Sequence, residues 1–252
     1  MNHFIQYSIV RNIVMLFVVS LLLHSCNSIS SLVYGQGYTN RTKNTLSKTI
    51  EMVDSTGTRS VVIVPMVHIG AEKDYEKIGV YLDGLRSRGY SVYDEGVRLP
   101  VSSDSCYLDS LQRKLRKMIG FDVKYQYPRL ARRHKGWVSQ ASTKVWLSSL
   151  SENDRNVDLT TDQLIEEYEK KHAPIVLDDF DMQCPLGSKD YKIKHGAKGY
   201  RMMIGGNFSP RDSLLEEHVV NDGCDRIVVV YGSYHCHILK NALLYLHGYS
   251  IK

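Results

Sequence analysis

His68, Glu95 and His235 are the residues of this chain whose types and positions point most directly to chemistry. His68 closes a β-branched run that begins at Val61, and Glu95 ends a second apolar run that begins at Gly89-Tyr90-Ser91-Val92. His235 follows Arg226-Ile-Val-Val-Val-Tyr-Gly232-Ser-Tyr, near the C-terminus. Two imidazoles and a carboxylate make a site with open positions, suited to a divalent metal such as Zn, Mn, Fe or Co. Such a metal lowers the pKa of bound water and polarises a carbonyl. Glu95 then serves either as a third ligand or as the general base that takes the proton from that water. Arg98, three residues further on, is placed to neutralise an oxyanion or a substrate carboxylate. A single histidine after a strand is more often a satisfied surface or core residue, and one glutamate before a glycine is usually a turn residue. The repetition of the whole unit is what favours a site.

The elements that must position these side chains are legible from periodicity. Runs of Val and Ile without polar alternation suit strands buried on both faces, as parallel α/β sheets produce. The run 61–67 leads through His68 into a helix over 72–88; the run 226–231 leads through His235 into another helix, and Gly-Tyr-Ser follows each. The expectation is an α/β fold with a largely parallel central sheet flanked by helices, in two βα halves each carrying a strand–His–helix motif. The strands 61–67 and 226–231 should run parallel in one sheet. Both histidines should then lie beyond its carboxyl edge, where such sheets gather their chemistry.

The N-terminus reads as an address. Arg11 precedes the apolar run Ile13 to Leu23, too short for a comfortable membrane span and laid out like a secretory signal. Leu23-His-Ser-Cys26 resembles the lipobox of bacterial lipoproteins, which implies a signal peptide over 1–25 and lipidation of Cys26; an ordinary cleaved signal and an uncleaved anchor are the alternatives. Residues 27–58 are rich in Ser, Thr, Asn and Gly and read as a tether and lead-in to a domain over 59–252. Net charge is +5 and falls to +4 without residues 1–25, which is weak evidence for any acidic partner. Cys106, Cys184, Cys224 and Cys236 remain after export, and sequence cannot choose among their pairings. Cys236 reads as a small buried residue sooner than as a nucleophile.

Between the two motifs the signals weaken. A helix is expected over 105–119, with Leu108, Leu111, Leu115 and Met118 on one face. Its basic group, Arg113, Lys114, Arg116 and Lys117, reads as a solvated face; phosphate or anionic lipid is the alternative, and no nucleic-acid motif accompanies it. Tyr125-Gln-Tyr-Pro128 and Trp137-Val-Ser suggest short strands within 120–158. Thr160-x-x-Gln163 has capping-box form and opens a helix. Ile175-Val-Leu177 suggests a strand running into Asp178-Asp-Phe-Asp181, a polar turn or a metal site. Ser209-Pro210-Arg211-Asp212 is a helix start.

At the motif residues the chain resembles the TraB/GumN/PrgY/Tiki family. Gly232-Ser-Tyr-His235 is similar to its second G-x-x-H motif, and Pro65-Met-Val-His68 stands where the first does, with proline for glycine. Glu95 with Arg98 resembles the family's E-x-x-R, and Arg211-Asp212 the Arg-Asp or Arg-Asn before the last motif strand. The resemblance covers about 60–100 and 205–252, and Trp137-Val-Ser-Gln140 lacks a carboxylate that some relatives carry. It implies a membrane-tethered, exported metal-dependent hydrolase, a peptidase above all, of the bacterial cell envelope. Glu95, Arg98 and Arg211 would be catalytic, His68, His235 and Glu95 metal ligands, and a peptide or protein the substrate. The alternative is a haem-, metal- or peptide-binding lipoprotein of the same fold.

Overall fold

The valine-rich runs become adjacent central strands. In the computed structural model, which describes residues 45–140, 152–191 and 210–252, the described chain belongs to one unit, Thr42–Lys252. Its strands are β1 (Ile50–Val53), β2 (Ser60–Met66), β3 (Ile69–Ala71), β4 (Ser91–Asp94), β5 (Trp137–Ser139), β6 (Arg155–Asn156), β7 (Arg226–Gly232) and β8 (Ser250–Ile251). Six of them form one sheet in the order β6-β4-β7-β2-β1-β8, and β3 and β5 form a separate antiparallel pair. β6, β4, β7 and β2 run parallel, whereas β1 and β8 are antiparallel additions at one side. The chain leaves a gap between β2 and β4 that β7 later fills.

Two-sided burial explains the unalternating runs. Val61, Ile63, Ile227, Val229 and Tyr231 pack on one face against α6 (Pro210–Asn221) and α7 (Ser233–Tyr245), through Leu215, Val219, Leu239 and Leu243. Val62, Val64, Met66, Val228 and Val230 pack on the other against Tyr75, Ile78, Leu82 and Leu85 of α1 (Glu72–Arg86). Both faces are apolar, so the central residues of these strands, 61–64 and 227–231, must be.

A third cluster joins α2 (Ser105–Ile119) to α4 (Thr161–Lys171). Asp104 caps α2 by accepting from Tyr107 N–H, and Gly120 ends it in the left-handed region at φ 88°. Gln163 closes the α4 capping box on Thr160 N–H at 2.9 Å.

Several expectations are corrected. The domain begins before residue 59, because β1 pairs with β2 along Ile50↔Ile63 to Val53↔Ser60. Tyr125-Gln-Tyr-Pro128 lies in a helix, α3 (Val123–Ala131), which accommodates Pro128 and packs on the antiparallel β3–β5 pair. No strand forms at 175–177. The acidic triplet opens a short helix: Asp178 and Asp181 cap α5 (Asp179–Gln183) reciprocally. The basic face of α2 is not solvated. Arg116 is fully buried and donates to the carbonyls of Asp181, Cys184 and Pro185, while Lys117 pairs with Asp178 and Asp181.

The two halves are also less alike than their sequences. β7 runs straight into α7, so His235 stands in the first turn of the helix; β2 is followed by β3 before α1 begins. Gly89 and Gly248 both adopt positive φ, yet β4 lies inside the parallel sheet and β8 at its antiparallel margin. The signal segment, Cys26 and Ser209 lie outside the described residues.

Candidate active site

β2 and β7 pair in parallel up to Met66↔Gly232, so the residues that follow them emerge beyond the same edge of the sheet. β4 contributes Glu95 at that edge, its N–H still bonded to the Val230 carbonyl at 3.1 Å. The edge is also where α6 begins, carrying Arg211 and Asp212.

Arg211 is the hub. Its Nε and Nη2 donate to the two oxygens of Asp158 at 2.8 and 2.7 Å, a bidentate pair. Nη2 also donates to Glu95 Oε1 at 2.7 Å, and Nη1 lies 3.2 Å from His235 Nε2. A guanidinium has only donors, so Nε2 is the acceptor and the ring proton sits on Nδ1. Nδ1 faces Asp212 Oδ1 at 2.6 Å, an acceptor that suits that tautomer. The tautomer is thus assigned from both of its neighbours.

Both oxygens of Glu95 are engaged. Oε1 is held by Arg211, and Oε2 accepts the Gly232 N–H. Burial acts to raise its pKa, but the charge of Arg211, those of His68 and His235 when protonated, and the Arg211 hydrogen bond outweigh it and hold the carboxyl below its ordinary value. Burial likewise opposes the charge on Arg211, and Asp158 and Glu95 overcome it, leaving the pKa above the usual arginine value. Tyr231 donates to the Val157 carbonyl, and burial, then Asp158, pushes its hydroxyl far up. Cys236 is buried, and burial pushes its thiol up, as suits an inert core residue. All four cysteines in the described residues are free.

Gly232 is a glycine for reasons of space. A Cβ there would stand 3.1 Å from Glu95 Oε2 and 3.6 Å from His235 Cδ2. The residue paired with it on β2 is Met66, and Pro65 lies beyond Ile63, where β1 stops pairing with β2.

Glu95, Arg211 and His235 therefore come together. His68 does not join them by contact: it is exposed, and its ring stacks on Tyr127 at 4.8 Å between centroids. Its charge still acts on Glu95. Arg98 turns away to Asp94 Oδ2 at 3.0 Å and is half exposed.

The expected metal does not fit this arrangement. Among the described residues no group of three or more His, Cys, Asp or Glu side chains is disposed to hold one. Glu95 is engaged at both oxygens, and a guanidinium stands at the only ring nitrogen of His235 that has a lone pair.

No family model, curated protein or solved structure matches this chain. The likeness to the TraB/GumN/PrgY/Tiki family rests on the motif residues alone.

Asp158 was not anticipated. It follows the two-residue strand β6, its side chain is fully buried, and it accepts Gly96 N–H and Leu159 N–H at 2.9 Å each besides Arg211. The available signal was an acid set between two aliphatic residues, Val157 and Leu159, which places a carboxylate in a core. Asp212 is visible in the sequence as a helix-start acid and as half of the Arg211-Asp212 motif, without a role of its own.

Proposed function

We propose that this chain is a hydrolase of amide bonds, a peptidase anchored outside the cytoplasm, with His235 as its general base. The observation that carries the reading is the Asp212–His235–Arg211 arrangement at the carboxyl edge of a parallel sheet. Asp212 orients the imidazole and would stabilise the imidazolium that forms when Nε2 takes a proton. Arg211, held by Asp158 and Glu95, presents Nη1 beside that same nitrogen. A substrate carbonyl entering between them would receive an Nη1–H on its oxygen as water attacks its carbon. Nε2 takes the water proton and returns it to the leaving nitrogen, and the C–N bond breaks. Glu95, engaged at both oxygens, positions Arg211 and the Gly232 amide and is not the base. Lipidation at Cys26 would supply the anchor.

The test is cleavage of a peptide library by the full-length chain in detergent. His235→Gln should abolish turnover, and Asp212→Asn should lower kcat by about 10³- to 10⁴-fold while the fold is kept. Wild-type rates in His235→Gln would end the proposal. A second reading, a haem-, metal- or peptide-binding lipoprotein, draws on the internal pairing of Glu95, Arg211 and Asp158, which a purely structural network also shows. Binding without cleavage of any peptide would favour it.

A further inference from the structure

We propose that the Arg211 guanidinium occupies the place where a divalent cation would bind between His235 and Glu95, so that this centre carries its positive charge on the protein. The inference rests on the hydrolase reading only for what that charge does, not for where it is.

The geometry points to one cation position. His235 Nε2 and Glu95 Oε1 are 3.8 Å apart. Two donors sharing a tetrahedral metal at the usual bond lengths of ~2.0–2.2 Å would stand roughly 3.4 Å apart, so this pair is only slightly wider than a metal requires. Asp212 behind Nδ1 is the kind of carboxylate that backs a metal-bound histidine. The gap is nevertheless filled: Arg211 reaches Nε2 through Nη1 at 3.2 Å and Oε1 through Nη2 at 2.7 Å.

Nor is the guanidinium free to withdraw. Its Nε–Nη2 edge is clamped by both oxygens of Asp158, a side chain with no exposure that is itself fixed by two backbone N–H groups. A metal entering beside it would meet like charge at hydrogen-bond range and a glutamate already neutralised. Arg211 therefore supplies what a Lewis acid would supply to a carbonyl oxygen, through N–H donation.

Elemental analysis of the purified full-length chain, dialysed against Zn²⁺, Mn²⁺ or Co²⁺ and then desalted, tests this without any assay of activity. The wild type should retain no stoichiometric metal. Arg211→Met removes the guanidinium and leaves Nε2, Oε1 and the freed Asp158 carboxylate facing a common space. That variant should gain up to one equivalent of Zn²⁺ or Co²⁺, with the visible absorption of low-symmetry Co²⁺, and Arg211→Met combined with His235→Ala should lose it again. One equivalent of tightly held metal in the wild type, lost in His235→Ala, would overturn the proposal. So would an Arg211→Met protein, folded by circular dichroism, that takes up none. If Arg211→Met does not fold, Arg211→Lys and the wild-type metal content decide: Lys should exclude metal as Arg does. Failure to cleave peptides would count against the hydrolase reading and leave these metal contents to be judged separately.

Discussion

Gly232 shows how a single residue sets the site. It has an ordinary backbone conformation, so its lack of a side chain answers to space and not to φ. Glu95 packs directly over its Cα and accepts its N–H, and the same glycine opens the helix that carries His235. Gly232→Ala must displace the Glu95 carboxylate or the strand end. Overpacking of this kind costs about 1–3 kcal/mol, and the shift of Glu95 would carry Arg211 with it. The expected outcome is a lower urea midpoint together with a partial loss of turnover, since the Glu95 carboxylate that must give way also holds Arg211. Unchanged stability and rate would show that Glu95 has slack. The two histidines also differ at this scale. His235 is buried and paired at both nitrogens, whereas His68 is exposed and held by stacking on Tyr127.

At the scale of elements, α2 acts as a clasp. Leu111 and Met118 bury one stripe of it against α4, while Arg113, Arg116 and Lys117 grip the segment around α5. Arg116 also lies over the Tyr191 ring, 4.0 Å from its centroid. An arginine is suited to this because its planar fork satisfies several carbonyls at once. Arg116→Met keeps much of the volume but removes three hydrogen bonds to the carbonyls of Asp181, Cys184 and Pro185, which are left to Arg113 and to Ser188 N–H. Hydrogen bonds from a charged donor contribute about 1.5–3 kcal/mol, and the remaining donors offset part of what is lost, so a loss of about 2 kcal/mol in chemical denaturation is expected. A loss below about 0.5 kcal/mol would mean that Arg113 and Ser188 hold those carbonyls without Arg116.

Over the whole molecule, the parallel sheet buries acids at its carboxyl edge and ties stability to pH. Asp94 ends β4 with 2% exposure, and burial pushes its carboxyl up to about 6 against the opposing pull of Arg98 and Asn156. Its ordinary value is 3.8, so the folded state binds the Asp94 proton more tightly than the unfolded chain does. The contribution is therefore fully present below about pH 4, and it is lost as pH rises through about 6. Asp94→Asn removes the titration. Its stability relative to wild type should rise between pH 4 and pH 6.5 by up to about 3 kcal/mol, the equivalent of a shift of about two units. Matched denaturation curves at the two pH values check this, and a constant difference would refute it. Glu95 has its pKa lowered and works in the opposite sense, which is why the comparison must be between proteins and not between pH values alone.

The sequence by itself determined the parallel core, the edge at which His68, Glu95 and His235 emerge, and the ends of α2, α4 and α6. These follow from local causes: unalternating valine runs admit only two-sided burial, and capping residues act within a turn of their own position. Only the tertiary structure decided what those residues do. Asp158 and Arg211 are 53 positions apart in the chain, and no periodicity relates them. The same Val-rich pattern led one histidine into a helix and left the other exposed between β2 and β3, because β3 pairs with β5 and α7 packs on the sheet. Arg116 read as solvated because helical spacing records which residues share a face, not which carbonyls will fold back over it.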